Sequence, residues 1–473
     1  MNRTSVKCGV WVCTCVSVLG ACVAPTSTSI PIPSLTPTLT LTHPHTYTLL
    51  IHPNLADAQN SSFALLAGRP PFSVDFSAEV SESLLQPLSY QWDRDGDGVF
   101  DSTDADPPPI TLTTPGVYTA TLALTDGAGH TEVVQQRLVV IGPAKPRAFR
   151  VGVTAHLDLW HGQMDSLDDV QRACALLREA GIPLVRWDFM WPALEPFAGV
   201  PDWGVYDASL AIVRGYGLES LGILDYTPPW ASGHRWADPY NSWNYLGPDR
   251  LSDWGTFVYR TVDRYKGDVR QWAIWNEPNL STFFAPADPA AYAALLREAY
   301  LAAKYADPEA FIVGGDLATP DDPAHFVGRD GRPAKALTAE DFLAGMYANG
   351  APGYYDALSL HPYTDPSRGA ASLLEKVRSF RAVMGDHGDA ATPLWITEIG
   401  WATREDGVSE DRQAQWLTDS LTALLDSGEV SAVFWYNLRD EGRDASDSES
   451  NFGLVRHDWS PKPAYTALKN LER

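Results

Sequence analysis

From residue 149 onward, short apolar runs alternate with longer stretches in which apolar positions recur every three or four residues. The runs at 149–154, 183–187, 219–225, 269–275, 311–315, 357–360, 394–397 and 432–436 predict eight strands. Helical patterns fall between them at 167–180, 206–215, 253–265, 289–305, 374–383 and 411–425, with a last one at 463–471. Eight β/α units in residues 149–473 predict an α/β fold, a (β/α)8 TIM barrel with sizeable loops. A doubly wound sheet would want a Gly-rich phosphate turn after the first strand, and Val153-Thr154-Ala155-His156-Leu157-Asp158 offers none.

Residues 57–143 read differently. Short alternating runs at 72–76, 88–92, 117–124 and 133–141, separated by Gly, Pro and Asp, predict a small antiparallel β-sandwich. Gly68-Arg69-Pro70-Pro71-Phe72, Tyr90-Gln91-Trp92-Asp93, Pro115-Gly116-Val117-Tyr118 and Leu124-Thr125-Asp126 resemble, in order, the polycystic-kidney-disease (PKD) domain, whose members serve as spacers or weak adhesion modules beside extracellular enzymes. Within it, Asp93, Asp95, Asp97 and Asp101 alternate with glycines, a spacing that suits calcium, although the loop lacks the bidentate Glu that closes an EF-hand. Asp/Gly clusters are equally ordinary turn chemistry.

Ahead of the sandwich, residues 23–56 are expected to be a linker. Positions 23–48 hold 8 Thr, 5 Pro and 3 Ser and no charged residue, a composition that favours extended, solvated backbone. Residues 1–22 read as an export signal: Arg3 and Lys7 precede an uncharged stretch at 9–21, too short to span a bilayer. It ends in Leu19-Gly20-Ala21-Cys22, which resembles the lipobox of bacterial lipoproteins. The resemblance implies lipidation at Cys22, a protein tethered at the bacterial cell surface, and membrane contact only through that anchor; an ordinary cleaved signal implies secretion instead. After cleavage Cys22 and Cys174 remain, so no disulfide framework is expected, and Cys174 reads as a small buried hydrophobe.

The formal net charge of −24, with no Lys/Arg stripe, argues against nucleic acid and against acidic polymers as partners. The 17 Trp and 19 Tyr point instead to sugars, against which flat amphipathic rings stack.

The chemistry is expected where barrel strands end. The fourth run closes on Trp275-Asn276-Glu277-Pro278-Asn279 and the seventh on Thr397-Glu398-Ile399-Gly400-Trp401. Pro278 disfavours helical backbone at Glu277, which predicts an extended residue aimed inward. Strands four and seven lie across the barrel, so the two glutamates can flank one bond, the minimum equipment for glycoside hydrolysis. Trp275 and the charge of Glu398 would keep Glu277 protonated, while Arg186 and Tyr363 would keep Glu398 ionised.

Val185-Arg186-Trp187-Asp188, Trp275-Asn276-Glu277-Pro278-Asn279, Leu360-His361-Pro362-Tyr363 and Pro461-Lys462-Pro463-Ala464-Tyr465 resemble glycoside hydrolase family 39, and within it endo-acting hydrolases of bacterial exopolysaccharide. The resemblance implies Glu277 as acid/base, Glu398 as nucleophile, and net retention of configuration on a polysaccharide or oligosaccharide. Asn276 is expected to hydrogen-bond the sugar 2-OH, His361 a further hydroxyl, and Tyr363 the nucleophile. An Arg186–Asp188 ion pair is expected to fix Arg186, and His156 to contact sugar. Trp435 is expected to floor the cleavage subsite. In the loop holding Trp230, Trp236, Tyr240, Trp243 and Tyr245, some rings should form sugar platforms, Trp230 among them. The barrel shows no metal-ligand spacing, and the two carboxylates need no cofactor. Two other readings fit the sequence, an exo-acting β-xylosidase and a non-catalytic polysaccharide-binding or adhesion protein.

Overall fold

The computed structural model of the chain describes residues 47–473, apart from 54–62, 81–87, 146–147, 161–163, 233–242, 329–330, 365–367, 369–370, 405–407 and 472–473. The expected signal, Cys22 and most of the expected linker lie outside the described residues, as do Trp236 and Tyr240.

The sandwich contains β1 (Tyr47–Pro53), β2 (Ala67–Gly68), β3 (Phe72–Val80), β4 (Ser89–Asp93), β5 (Ile110–Leu112), β6 (Gly116–Thr125) and β7 (Thr131–Val140). One sheet has the order β1-β3-β5 and the other β2-β7-β6-β4. Alternate residues of facing strands, among them Val74, Phe76, Trp92, Leu122, Leu124 and Leu138, meet in a core of their own. β1 lies inside the stretch expected as linker and pairs antiparallel with β3 from Tyr47↔Val80 to Pro53↔Val74. The Thr/Pro bias of that stretch masked Tyr47-Thr48-Leu49-Leu50-Ile51, a run with strong strand propensity.

The barrel closes in the order expected. β8 (Arg150–Thr154), β9 (Leu184–Met190), β10 (Glu219–Asp225), β11 (Val269–Ile274), β12 (Phe311–Ala318), β13 (Ala357–His361), β14 (Leu394–Ile399) and β15 (Ala432–Trp435) form one closed parallel sheet, with β15 pairing back onto β8. Around it run α1 (Leu167–Glu179), α2 (Trp191–Leu194), α3 (Gly204–Gly215), α4 (Pro229–Ser232), α5 (Leu251–Tyr265), α6 (Pro289–Ala306), α7 (Ala339–Ala348), α8 (Ala371–Asp386), α9 (Glu410–Ser427) and α10 (Pro463–Lys469). Side-chain caps fix several starts: Ser166 accepts from Asp169 N, Asp288 from Ala290 N, Thr338 from Asp341 N and Ser409 from Arg412 N.

Leu221, Ile223, Val313, Trp395 and Phe434 fill part of the barrel interior. A larger cluster joins the outer strand faces to the helices and takes in Cys174, which is fully buried and whose thiol is pushed up to about 12 by burial. The same cluster reaches the sandwich through Phe63, Ala67, Val139 and Ile141. Arg69 fastens that junction, donating from Nε to Gly353 O at 2.9 Å and from Nη2 to the Tyr300 hydroxyl at 2.7 Å. Gly353 precedes β13, so this contact lies toward the end of the barrel where strands begin.

Candidate active site

At the opposite end, several strands converge on Arg186. This β9 residue is 1% exposed, and its fork reaches three acceptors: Nη1 donates to Glu398 Oε1 at 2.7 Å, and Nη2 donates to Asp316 Oδ2 at 2.9 Å and Asn276 Oδ1 at 3.0 Å. One guanidinium thereby ties β9 to β12, β14 and the turn after β11. Burial would cost Arg186 its charge, but Glu398 and Asp316 outweigh it and hold the guanidinium protonated. The expected partner, Asp188, adds negative charge nearby, while its Oδ2 lies 2.7 Å from His156 Nδ1. The decisive carboxylates for Arg186 are Glu398 and Asp316, and the sequence around Asp316 carries no motif that would mark it.

Glu398 lies at the end of β14. Burial pushes its carboxyl upward, yet the charges of His361 and Arg186 and the Tyr363 hydroxyl, which donates to Oε2 at 2.8 Å, hold it below the ordinary carboxylate range. Burial and the neighbouring Glu398 charge raise the Tyr363 phenol far above its usual value, so it remains a donor. Gly400 follows, where a Cβ would come 2.1 Å from the Tyr436 carbonyl; only glycine lets the chain past.

Glu277 is reached by a turn after β11, and its backbone departs from the expectation. It is not extended: φ is +44°, with Trp275 at +68° and Asp316 at +47°. Pro278 excludes the right-handed helical region, and the Glu277 N–H, donating to Asp316 O at 3.1 Å, draws the residue into the left-handed one. Such backbone costs about 1–3 kcal/mol and persists where surroundings over-determine it. Here fully buried Trp275 donates from Nε1 to Phe283 O at 2.8 Å, and Asn279 donates to Ala318 O and Leu337 O, each at 2.8 Å.

His361 joins the two glutamates. Its Nδ1 lies 3.0 Å from Glu277 Oε1 and 3.7 Å from Glu398 Oε2, and its Nε2 lies 3.0 Å from Thr397 Oγ1. Burial opposes its charge, but Glu398 and Glu277 carry its pKa above the ordinary histidine value. An oxygen of Glu277 and one of Glu398 lie within 4.8 Å of each other.

The glutamates open onto a cavity of about 630 Å³, within the usual range for a small-molecule site. Arg186, Asn276, Tyr363 and His156 line it together with Asp188, whereas His361, expected to hold a sugar hydroxyl, is fully buried and is not among the lining residues. Two expected aromatics do not line it either. Trp435 is fully buried against Trp401, and Trp230 packs edge-on to Trp191 with Nε1 donating to Glu195 O at 2.9 Å. The β15 end instead presents Tyr436, with Trp401 and Phe452 beside it. From the aromatic loop, Trp243 reaches the cavity, edge-on to Tyr226; Tyr245 is half-buried and does not line it.

In the sandwich, carboxylate oxygens of Asp93, Asp95 and Asp97 gather within 4.8 Å. Asp101, expected as a fourth ligand, instead accepts from Arg94 Nε at 2.7 Å.

Residues 260–458 match the family model described as "Glycosyl hydrolase catalytic core". The matched span begins inside α5 and runs past β15. A β-xylosidase of Caldicellulosiruptor saccharolyticus is 26% identical over 295 residues, 56% of this chain and 55% of the relative, so the chain spans about half the length of the curated relative it matches. Among solved structures, a family 39 glycoside hydrolase of Bacteroides cellulosilyticus WH2 superposes with a TM-score of 0.53 at 23% identity, over 82% of this chain and 78% of that one. A family 39 β-xylosidase of Caulobacter crescentus gives 0.52 at 22% identity, over 70% and 72%. At these identities the likeness is one of fold.

Proposed function

We propose that the protein is a retaining β-glycoside hydrolase of family 39 type, cleaving inside a β-linked polysaccharide by double displacement. Glu398 attacks the anomeric carbon as Glu277 protonates the leaving oxygen; Glu277 then takes a proton from the water that resolves the glycosyl-enzyme. The observation that carries the reading is the close approach of the two glutamates, an oxygen of each lying within 4.8 Å of an oxygen of the other, which suits the short separation of a retaining pair better than the about 6.5–9.5 Å at which an inverting enzyme seats a water. Their unlike surroundings support the division of roles, since it is Glu398 that Arg186 and Tyr363 hold ionised. Asn276, accepting from Arg186 through Oδ1, is left with its amide nitrogen to donate to the sugar 2-OH. These residues suffice for the reaction without a cofactor.

Endo action is supported by the size of the cavity, about 630 Å³, and by a lining that takes in Trp243, Phe283, Arg404 and Glu441 besides the two glutamates. The β-xylosidases among its relatives favour a second reading, exo-acting release of single sugars. Incubating the protein with β-linked plant and bacterial polysaccharides and sizing the products separates the two, because monosaccharide alone would mean exo action. Anomeric NMR on the first substrate found tests retention, and inversion would overturn the mechanism.

We further propose that the enzyme is exported and anchored through lipidated Cys22, which mass spectrometry of the mature N-terminus tests. Asp93, Asp95 and Asp97 are the residues that would hold a structural calcium.

A further inference from the structure

Thr397 stands between the acid/base machinery and the buried ion pair, and its single hydroxyl hydrogen can serve only one neighbour. Oγ1 lies 2.8 Å from Asp316 Oδ1 and 3.0 Å from His361 Nε2. Asp316, whose other oxygen receives Arg186 Nη2 at 2.9 Å, is an acceptor only. The Thr397 hydrogen therefore goes to Asp316, and the Thr397 oxygen must accept from His361. This fixes the ring with its hydrogen on Nε2. In the neutral ring Nδ1 is then a bare lone pair, 3.0 Å from Glu277 Oε1. Two acceptors do not meet at that distance without a proton between them.

We propose that Thr397, oriented by Asp316, is a positioning residue that fixes the tautomer of His361, so that His361 and Glu277 hold one shared proton, the one used in general acid catalysis. Removing that proton leaves a lone pair facing a carboxylate, so His361 gives it up less readily than a free imidazole would. Its delivery to the glycosidic oxygen leaves the pair one proton short. The water that attacks the glycosyl-enzyme returns one as its oxygen bonds to the anomeric carbon, the bond from that carbon to Glu398 breaks, and the Glu398 carboxylate is released.

The groups facing the imidazole are Glu277 past β11, Glu398 on β14 and, through Thr397, Asp316 on β12. Arg186 on β9 and Tyr363 past β13 act on it through Glu398. None of them can supply the Nε2 acceptor that Thr397 supplies.

The inference rests on Glu277 being the acid/base, and the test separates the two. In Thr397→Val the ring is free to place its hydrogen on Nδ1 and donate to an ionised Glu277 without an extra proton. The basic limb of kcat/KM on an unactivated oligosaccharide should then move down by about one pH unit. Thr397→Ser should restore it. A dinitrophenyl glycoside, whose departure needs no acid, should show no such movement. A basic limb unmoved in Thr397→Val, or moved equally for both substrates, overturns the inference. Independently of any variant, ring 15N shifts of His361 in the wild-type protein should report a hydrogen on Nε2 throughout the limb, and a neutral ring protonated on Nδ1 overturns it. If Glu277→Gln cleaves the oligosaccharide as well as wild type, the acid/base assignment itself has failed. If Glu277 proves essential while Thr397→Val behaves as wild type, the tautomer inference alone has failed.

Discussion

The Tyr363 hydroxyl and Arg186 hold opposite oxygens of Glu398, at 2.8 Å on Oε2 and 2.7 Å on Oε1. The carboxylate is thus satisfied on both oxygens before substrate arrives. Glu398 must be ionised to attack, and these donors lower its pKa, so activity should persist into acid until Glu398 protonates. Tyr363→Phe deletes one donor and raises that pKa. The acid limb of kcat/KM should then shift upward by up to about one pH unit. An unmoved acid limb in a folded variant would show that Tyr363 does not serve the nucleophile.

Glu277→Gln should lower turnover of an unactivated substrate by about 10²–10⁴-fold and spare substrates with good leaving groups. Glu398→Gln should abolish turnover of both. Equal, modest losses from the two changes would refute the roles given to them.

Arg186 is buried with two carboxylates, so Arg186→Met leaves Asp316 and Glu398 without the guanidinium they share in the barrel mouth. Breaking a buried pair costs about 3–5 kcal/mol, and chemical denaturation should register a loss of that order along with lost activity. A variant of unchanged stability would mean that the mouth is wetter than its burial indicates.

Trp435 and Trp243 should behave oppositely. Trp435→Ala removes a fully buried ring and should cost about 3–5 kcal/mol of stability. Trp243 is 40% exposed at the cavity, and Trp243→Ala should raise KM about 3- to 10-fold with little change in Tm. A large fall in Tm with no change in KM for Trp243→Ala would place that ring in the core instead.

Calcium should raise the Tm of the chain through Asp93, Asp95 and Asp97, and Asp101→Asn should leave that rise intact because its carboxylate is engaged by Arg94. No calcium-dependent rise at all would leave the loop a set of Asp/Gly turns.

The barrel was legible because each strand is an apolar run with a helical pattern behind it. Both glutamates were legible because their motifs sit where such runs end. Besides the one-turn α2 and α4, α7 is missing from the expected helices although its signal is present: Ala339, Phe342, Leu343 and Met346 recur at helical spacing behind a Thr338 cap. Trp435 and Tyr436 are not told apart by pattern, because all four residues of β15 are buried and alternation does not say which ring faces the mouth. Asp316 and Thr397 were invisible for a different reason. Their roles depend on contacts across strands far apart in sequence, and nothing local to Gly314-Gly315-Asp316 or Ile396-Thr397 marks them.

The Arg69 junction carries a consequence for orientation. The sandwich grips the barrel toward the end where its strands begin, while the cleft opens where they finish. A polymer entering the cleft therefore comes in at the end of the barrel away from the Arg69 contacts, so the sandwich can stay docked while the chain is threaded past the glutamates.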